Sequence, residues 1–119
     1  MSPASSFDSW DSVMAFALTL PGTEESASYG RPAVRVRGKA FIYPGREQGS
    51  FAIASPLEEK EFLMETDPAT FWETDHYRGW PAVLVRFGSA DPERVETVIR
   101  RAWWDRLGKV QQREFGARP

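Results

Sequence analysis

Between Phe7 and Thr19 the residues Trp10, Val13, Met14, Ala17 and Leu18 recur at the three- and four-residue spacing of one helix face. The pattern predicts an amphipathic helix, capped by Ser6 or Asp8 and stopped by Pro21-Gly22. The period then changes. Val34 and Val36 alternate with Ala33, Arg35 and Arg37, as in a half-buried strand, with a turn at Gly38-Lys39 and a return over Ala40–Tyr43. Pro44–Gly49 reads as a second turn and Ser50–Ala54 as a third strand. Ser55-Pro56-Leu57-Glu58 has the form of a helix start: Ser55 as cap, Pro56 at the first helical position, Glu58 closing a capping box. That helix ends near Thr66. Asp67-Pro68 opens a short helical turn through Trp72, Thr74–Arg78 reads as a short strand, and Gly79-Trp80-Pro81 as a turn. Ala82–Phe87 is a stronger strand with Val83, Val85 and Phe87 on one face. Asp91-Pro92 opens the last helix, whose stripe is Val95, Val98, Ile99, Ala102 and Trp103 and whose stop is Gly108.

The predicted order is α-β-β-β-α-β-β-α. Short strands joined by tight turns favour an antiparallel sheet, and amphipathic helices before and after it favour one covered face. The expected fold is therefore α+β, a two-layer sandwich in a single domain over residues 1–119, with an ordered core about 7–108 and loose ends. A chain of 119 residues that is 41% apolar has enough material for such a core.

Composition acts mainly by exclusion. Cysteine is absent, which removes a disulfide framework, thiolate metal sites and a Cys nucleophile. The polar stretch Met1–Ser9 lacks the apolar segment of a secretory signal, and no apolar run approaches the ~20 residues of a membrane span. A cytoplasmic protein with no membrane partner is expected. The net charge of −2 argues against a bulk polyanion binder, but charge is unevenly spread. Arg31–Lys39 holds four basic residues and no acidic one, whereas Glu58–Asp75 holds seven acidic residues and one Lys. Arg100–Pro119 holds six basic and two acidic residues.

Several stretches, in their order and spacing, resemble one family. They are Leu20-Pro21-Gly22 with Glu24-Glu25, Ser28-Tyr29-Gly30-Arg31-Pro32-Ala33 running into Val36-Arg37-Gly38-Lys39-Ala40-Phe41, the long segment Phe71–Arg86, and the closing Ala102-Trp103. Over roughly Phe7–Leu107 the chain resembles the MmcQ/YjbR-like family. The resemblance implies a fold like that of bacterial frataxin and secretion chaperones, with helices on one face of a curved antiparallel sheet. It also implies the DNA-binding label commonly given to members, and it carries over no catalytic residue. Relatives often have a Lys or Arg in the third strand; Phe51–Ala54 has none, which weakens that strand as a nucleic-acid contact.

No enzyme chemistry is legible. His76 is the only histidine, and on a strand it and Asp75 would point to opposite faces. Glu58, Glu59, Glu61 and Glu65 read as the solvated face of a helix rather than a metal site, and no phosphate-binding glycine loop or nucleophile elbow occurs. No catalytic residue, metal or cofactor is expected. Two surfaces remain. If Val34 and Val36 face the helices, Arg35 and Arg37 share the outer face with Arg86, with either Phe41 and Tyr43 or Ala40 and Ile42 beside them. Together with Arg31 and Lys39 they would make a basic, aromatic-interleaved face for weak electrostatic DNA binding, against the plainer role of solubilising the sheet. The loop His76, Tyr77, Arg78, Gly79, Trp80, Pro81 carries two aromatics and an Arg, and could instead grip a base or a peptide. Its plainer role is that Tyr77 and Trp80 pin it to the core with Arg78 stacked beside them. The expectation is thus a DNA-binding accessory domain. The alternative is a protein–protein interaction module, monomeric or weakly dimeric, using the aromatic loop or the open sheet face.

Overall fold

The computed structural model describes residues 7–28, 30–45 and 49–119. Its elements are helix α1 (Trp10–Ala17), strands β1 (Thr23–Ser28), β2 (Arg31–Val36), β3 (Lys39–Pro44) and β4 (Ser50–Ala54), helix α2 (Leu57–Thr66), strands β5 (Phe71–Trp72) and β6 (Ala82–Arg86), and helices α3 (Pro92–Arg106) and α4 (Lys109–Phe115). The strands form one six-stranded antiparallel sheet in the order β1-β2-β3-β4-β6-β5. The α+β fold with helices on one face of an antiparallel sheet is the one expected.

Pairing fixes which residues face the helices. Val34, Ile42, Ile53 and Val83 lie opposite one another across four strands, and Phe51, Val85 and Phe71 across three. All are buried in one cluster with Val13 and Ala17 of α1, Leu63 of α2, and Val95, Val98, Ile99, Ala102 and Trp103 of α3. The Trp103 indole N–H donates to the Pro21 carbonyl at 2.9 Å, tying α3 to the turn after α1. Fully burying a side chain of this size stabilises by about 3 kcal/mol.

Several local details differ from expectation. Ser6 lies outside the described residues, and Asp8 is not the cap of α1. Ser9 is, exchanging side-chain hydrogen bonds with Ser12 in a capping box. Ser55 does not cap α2: Pro56 occupies the cap position without a side-chain bond, and the Ser55 N–H donates to the Pro81 carbonyl instead. Asp91 caps α3 as expected, accepting from the Arg94 N–H at 3.2 Å. β1 was not anticipated, because Thr-Glu-Glu-Ser-Ala-Ser has no apolar alternation; it is an edge strand, which needs none. Phe71–Trp72 is a strand rather than a helical turn, and the expected strand at Thr74–Arg78 is a single 3-10 turn, Asp75–Tyr77.

The C-terminal residues dock on α3. Phe115 packs edge-on to Trp103 with ring centroids 4.9 Å apart, and the Trp104 indole donates to the Gly116 carbonyl at 3.2 Å. The segment after Gly108 therefore packs on α3.

Candidate functional site

α2 begins Leu-Glu-Glu-Lys-Glu-Phe-Leu, and its one lysine lies within the buried sector that includes Leu63, three residues on. Lys60 is 2% exposed. Its ammonium donates to the Tyr77 carbonyl at 2.7 Å and the Trp80 carbonyl at 3.0 Å, and it pairs with Glu73 Oε1 at 2.8 Å. The buried charge is thus neutralised by Glu73 and hydrogen-bonded to two carbonyls. The segment joining β5 to β6 is thereby clamped by its own backbone. Further bonds close it: Trp80 N–H to the Tyr77 carbonyl, Ala82 N–H to the Trp80 carbonyl, and the Ser55 bond to Pro81.

Clamping by the backbone leaves the side chains outside. Trp80 is 62% exposed, so the expected pinning of the loop by its Trp ring is not found. Tyr77 is half-buried, with His76 edge-on at 5.1 Å. Arg78 does not stack; it pairs with Asp75 at 2.8 Å, both side chains well exposed. Away from its buried sector α2, the helix that carries the clamping lysine, presents Leu57, Glu58, Glu61 and Glu65. All four are exposed, Leu57 at 47%. The helix that clamps the loop therefore bears exposed apolar and acidic side chains.

The basic hairpin is arranged differently from expectation. Arg37 and Gly38 both have positive φ, 54° and 77°, so they are the two central residues of the hairpin turn, one position earlier than Gly38-Lys39. Arg37 has left the strand and does not share a face with Arg35; its guanidinium carbon lies only 3.3 Å from where a Cβ on Gly108 would be. Arg35 does face outward, but it pairs with Glu24 of β1 at 2.9 Å. Arg31 donates to the Gly45 carbonyl at 3.3 Å. Arg86 faces outward over the Trp72 ring, 4.5 Å from its centroid, and donates to the carbonyls of Pro68 and Ala69. Lys39 is exposed at the start of β3.

The outer sheet face is also less open than expected. A bulge between β2 and β3 lets both Phe41 and Ile42 be buried, while Ala40 and Tyr43 face outward. On that face Ala33, Ala52 and Leu84 are at most 1% exposed. The chain after β3 crosses close over it: a Cβ on Gly45 would come within 3.3 Å of the Leu84 side chain and 2.8 Å of the Ser50 carbonyl oxygen. Trp72 donates to Ser50 Oγ at 3.1 Å along the same surface.

A third cluster joins α2, α3 and the C-terminal segment. Glu59 turns inward, away from Glu58 and Glu61, and binds Arg101 at 3.2 Å and Arg118 at 2.7 Å. Arg118 also grips both oxygens of Asp105, at 2.8 and 2.9 Å. The hydrogen bond to Asp105, with further support from Glu59, holds the Arg118 pKa above its usual value. A shallow cleft of about 460 Å³ lies beside this cluster, floored by Ala54, Pro56, Pro81 and Ala102. Among the described residues no group of three His, Asp or Glu side chains is placed to hold a metal ion, and no helix is long and apolar enough to cross a membrane.

The model of the YjbR family matches residues 18–104, from the end of α1 to the last turn of α3. The chain belongs to the YjbR family. Similar proteins include the uncharacterised Mb2600 of Mycobacterium bovis and Rv2570 of Mycobacterium tuberculosis, each 28% identical over 109 aligned residues, covering 79% of this chain and 84% of the relative. The crystal structure of Deinococcus radiodurans protein DR2400, with a DUF419 domain, superposes with a TM-score of 0.71 over 96% of this chain and 92% of that one, at 16% identity. That likeness is one of fold. Lys60, Glu73, Trp80 and the whole basic hairpin lie within the YjbR match, whereas α4 and Arg118 lie beyond it.

Proposed function

We propose that this YjbR-family chain is a protein-binding module whose docking surface is the Trp80 loop clamped by Lys60 of α2. The observation that supports it most is the contrast at Trp80: its backbone is clamped to the buried Lys60 while its side chain is 62% exposed. Exposing a tryptophan on a fixed loop is unfavourable in an isolated monomer but suits an anchor residue, because little conformational entropy is lost on binding. Glu58, Glu61, Glu65 and Leu57, exposed on the helix that clamps the loop, favour a partner surface carrying basic and apolar side chains, and disfavour a polyanion.

Weak DNA binding through the hairpin is the second reading. It retains the exposed Arg37 and Lys39, but Arg31, Arg35 and Arg86 are engaged within the chain. Heteronuclear NMR separates the two. Titration with a soluble peptide of alternating Lys and Leu residues should shift the Trp80 indole N–H resonance. Titration with a short DNA duplex should leave it in place. Shifts at Arg37 and Lys39 on adding duplex, with none at Trp80 on adding peptide, would reverse the order of the readings.

A further inference from the structure

The two edges of the sheet are finished differently. At one edge β5 has only two residues, and the Phe71 N–H is turned to the Asp67 carbonyl at 3.0 Å. Nothing there offers a run of unpaired backbone. At the other edge β1 is six residues long and pairs only with β2. Among the described residues no backbone group of Glu24 to Ser28 hydrogen-bonds on the side away from β2. β1 has no Pro and no Lys, and the charges that guard it are the carboxylates of Glu24 and Glu25.

We propose that β1 is a second binding site, which accepts an extended segment of another protein as an added antiparallel or parallel strand bearing Lys or Arg at alternate positions. Backbone hydrogen bonds along the edge supply the binding, and charge selects the occupant. Glu24 lies across from Arg35 on the outer face. Glu25 lies across from the buried Val34, so it projects on the helix side, where it is exposed and has no ion-pair partner among the described residues. An incoming strand therefore meets an uncompensated carboxylate. A second copy of β1 paired antiparallel along its length would set Glu24 against Ala27 and Glu25 against Ser26, and so would offer Glu25 no counter-charge. The small side chains Ser26 and Ala27 admit close approach but offer no apolar pocket, so a partner is recognised by backbone and charge rather than by a hydrophobic anchor.

The test uses a blocked peptide of alternating Lys and Thr, with amide hydrogen exchange read by NMR on the full chain. Every second amide of Glu24–Ser28 should exchange more slowly with the peptide bound. The same peptide N-methylated at alternate amides should not bind. Glu25→Lys should weaken the Lys–Thr peptide about tenfold and favour a Glu–Thr peptide instead. Absence of binding, equal binding of the N-methylated peptide, or protection mapped elsewhere would overturn the proposal. Concentration-dependent dimerisation that protects β1 without peptide would overturn it too, by making a second copy the occupant.

Discussion

Trp80 is held by its carbonyl oxygen and not by its ring: the buried Lys60 ammonium reaches that oxygen at 3.0 Å, while the side chain is 62% exposed. A loop fixed through its backbone can carry any side chain outward without losing its shape. That separation of support from display makes the 75–81 segment testable, because support and display can be removed independently.

Lys60→Met removes the support. It leaves the Tyr77 carbonyl with one donor fewer and Glu73 without its counter-ion. Breaking a buried pair in this way costs about 3 kcal/mol, measured as a loss of unfolding free energy in urea. Adding Glu73→Gln should recover part of that loss, because the two changes act on one interaction.

Glu59→Gln should destabilise more than Arg118→Ala. Glu59 is a 15% exposed carboxylate serving two guanidinium groups, whereas Arg118 is 34% exposed. Expected losses are about 2 kcal/mol for a charged hydrogen-bonded group and below about 1 kcal/mol for a screened surface pair. Denaturant midpoints of the two variants give the order directly.

Any duplex binding by the hairpin should be weakly salt-dependent. Arg37 and Lys39 are its exposed cations, and Arg35 is paired with Glu24. Two phosphate contacts give a log–log slope of roughly −1.8. Fluorescence anisotropy between ~50 and ~200 mM salt measures it. Arg35→Ala should leave the slope unchanged; a slope that flattens on that change would mean Arg35 leaves Glu24 for phosphate.

Thermal unfolding should be the same with and without micromolar zinc or ferrous iron. The chain has one His and no Cys, and among the described residues no cluster of three potential ligands. A large upward shift of the melting temperature would show a site.

The helix stripe of α3 and the alternation of β2 and β6 were legible because burial on one face imposes a period on the chain, whereas the bulge in β3 broke its period. Val95, Val98, Ile99, Ala102 and Trp103 all lie where that period placed them. What the pattern could not carry was pairing across the chain. Arg35 reads as a free cation until β1 brings Glu24 beside it, and β1 has no apolar period to announce it. Arg37 reads as a strand residue until the turn takes it. The acidic run of α2 reads as solvated, yet Glu59 and Lys60 both turn inward. The signal for Lys60 was available: its three-residue spacing to Leu63 puts an isolated lysine in the apolar sector, which a purely solvated helix would avoid. The segment 76–81 reads as unusual, with Trp80 expected to pin it to the core, but the ring's exposure depends on a clamp from a residue twenty positions away.

The binding-module reading is decided by Trp80→Ala. The ring is exposed, so the change should alter stability by no more than about 0.5 kcal/mol. The measurement compares proteins retained from nuclease-treated cell extract by the immobilised wild type and by the variant, at low and high salt. The reading predicts a defined partner held by the wild type in both salts and lost with the variant. An equal set retained by the wild type and the variant would contradict it.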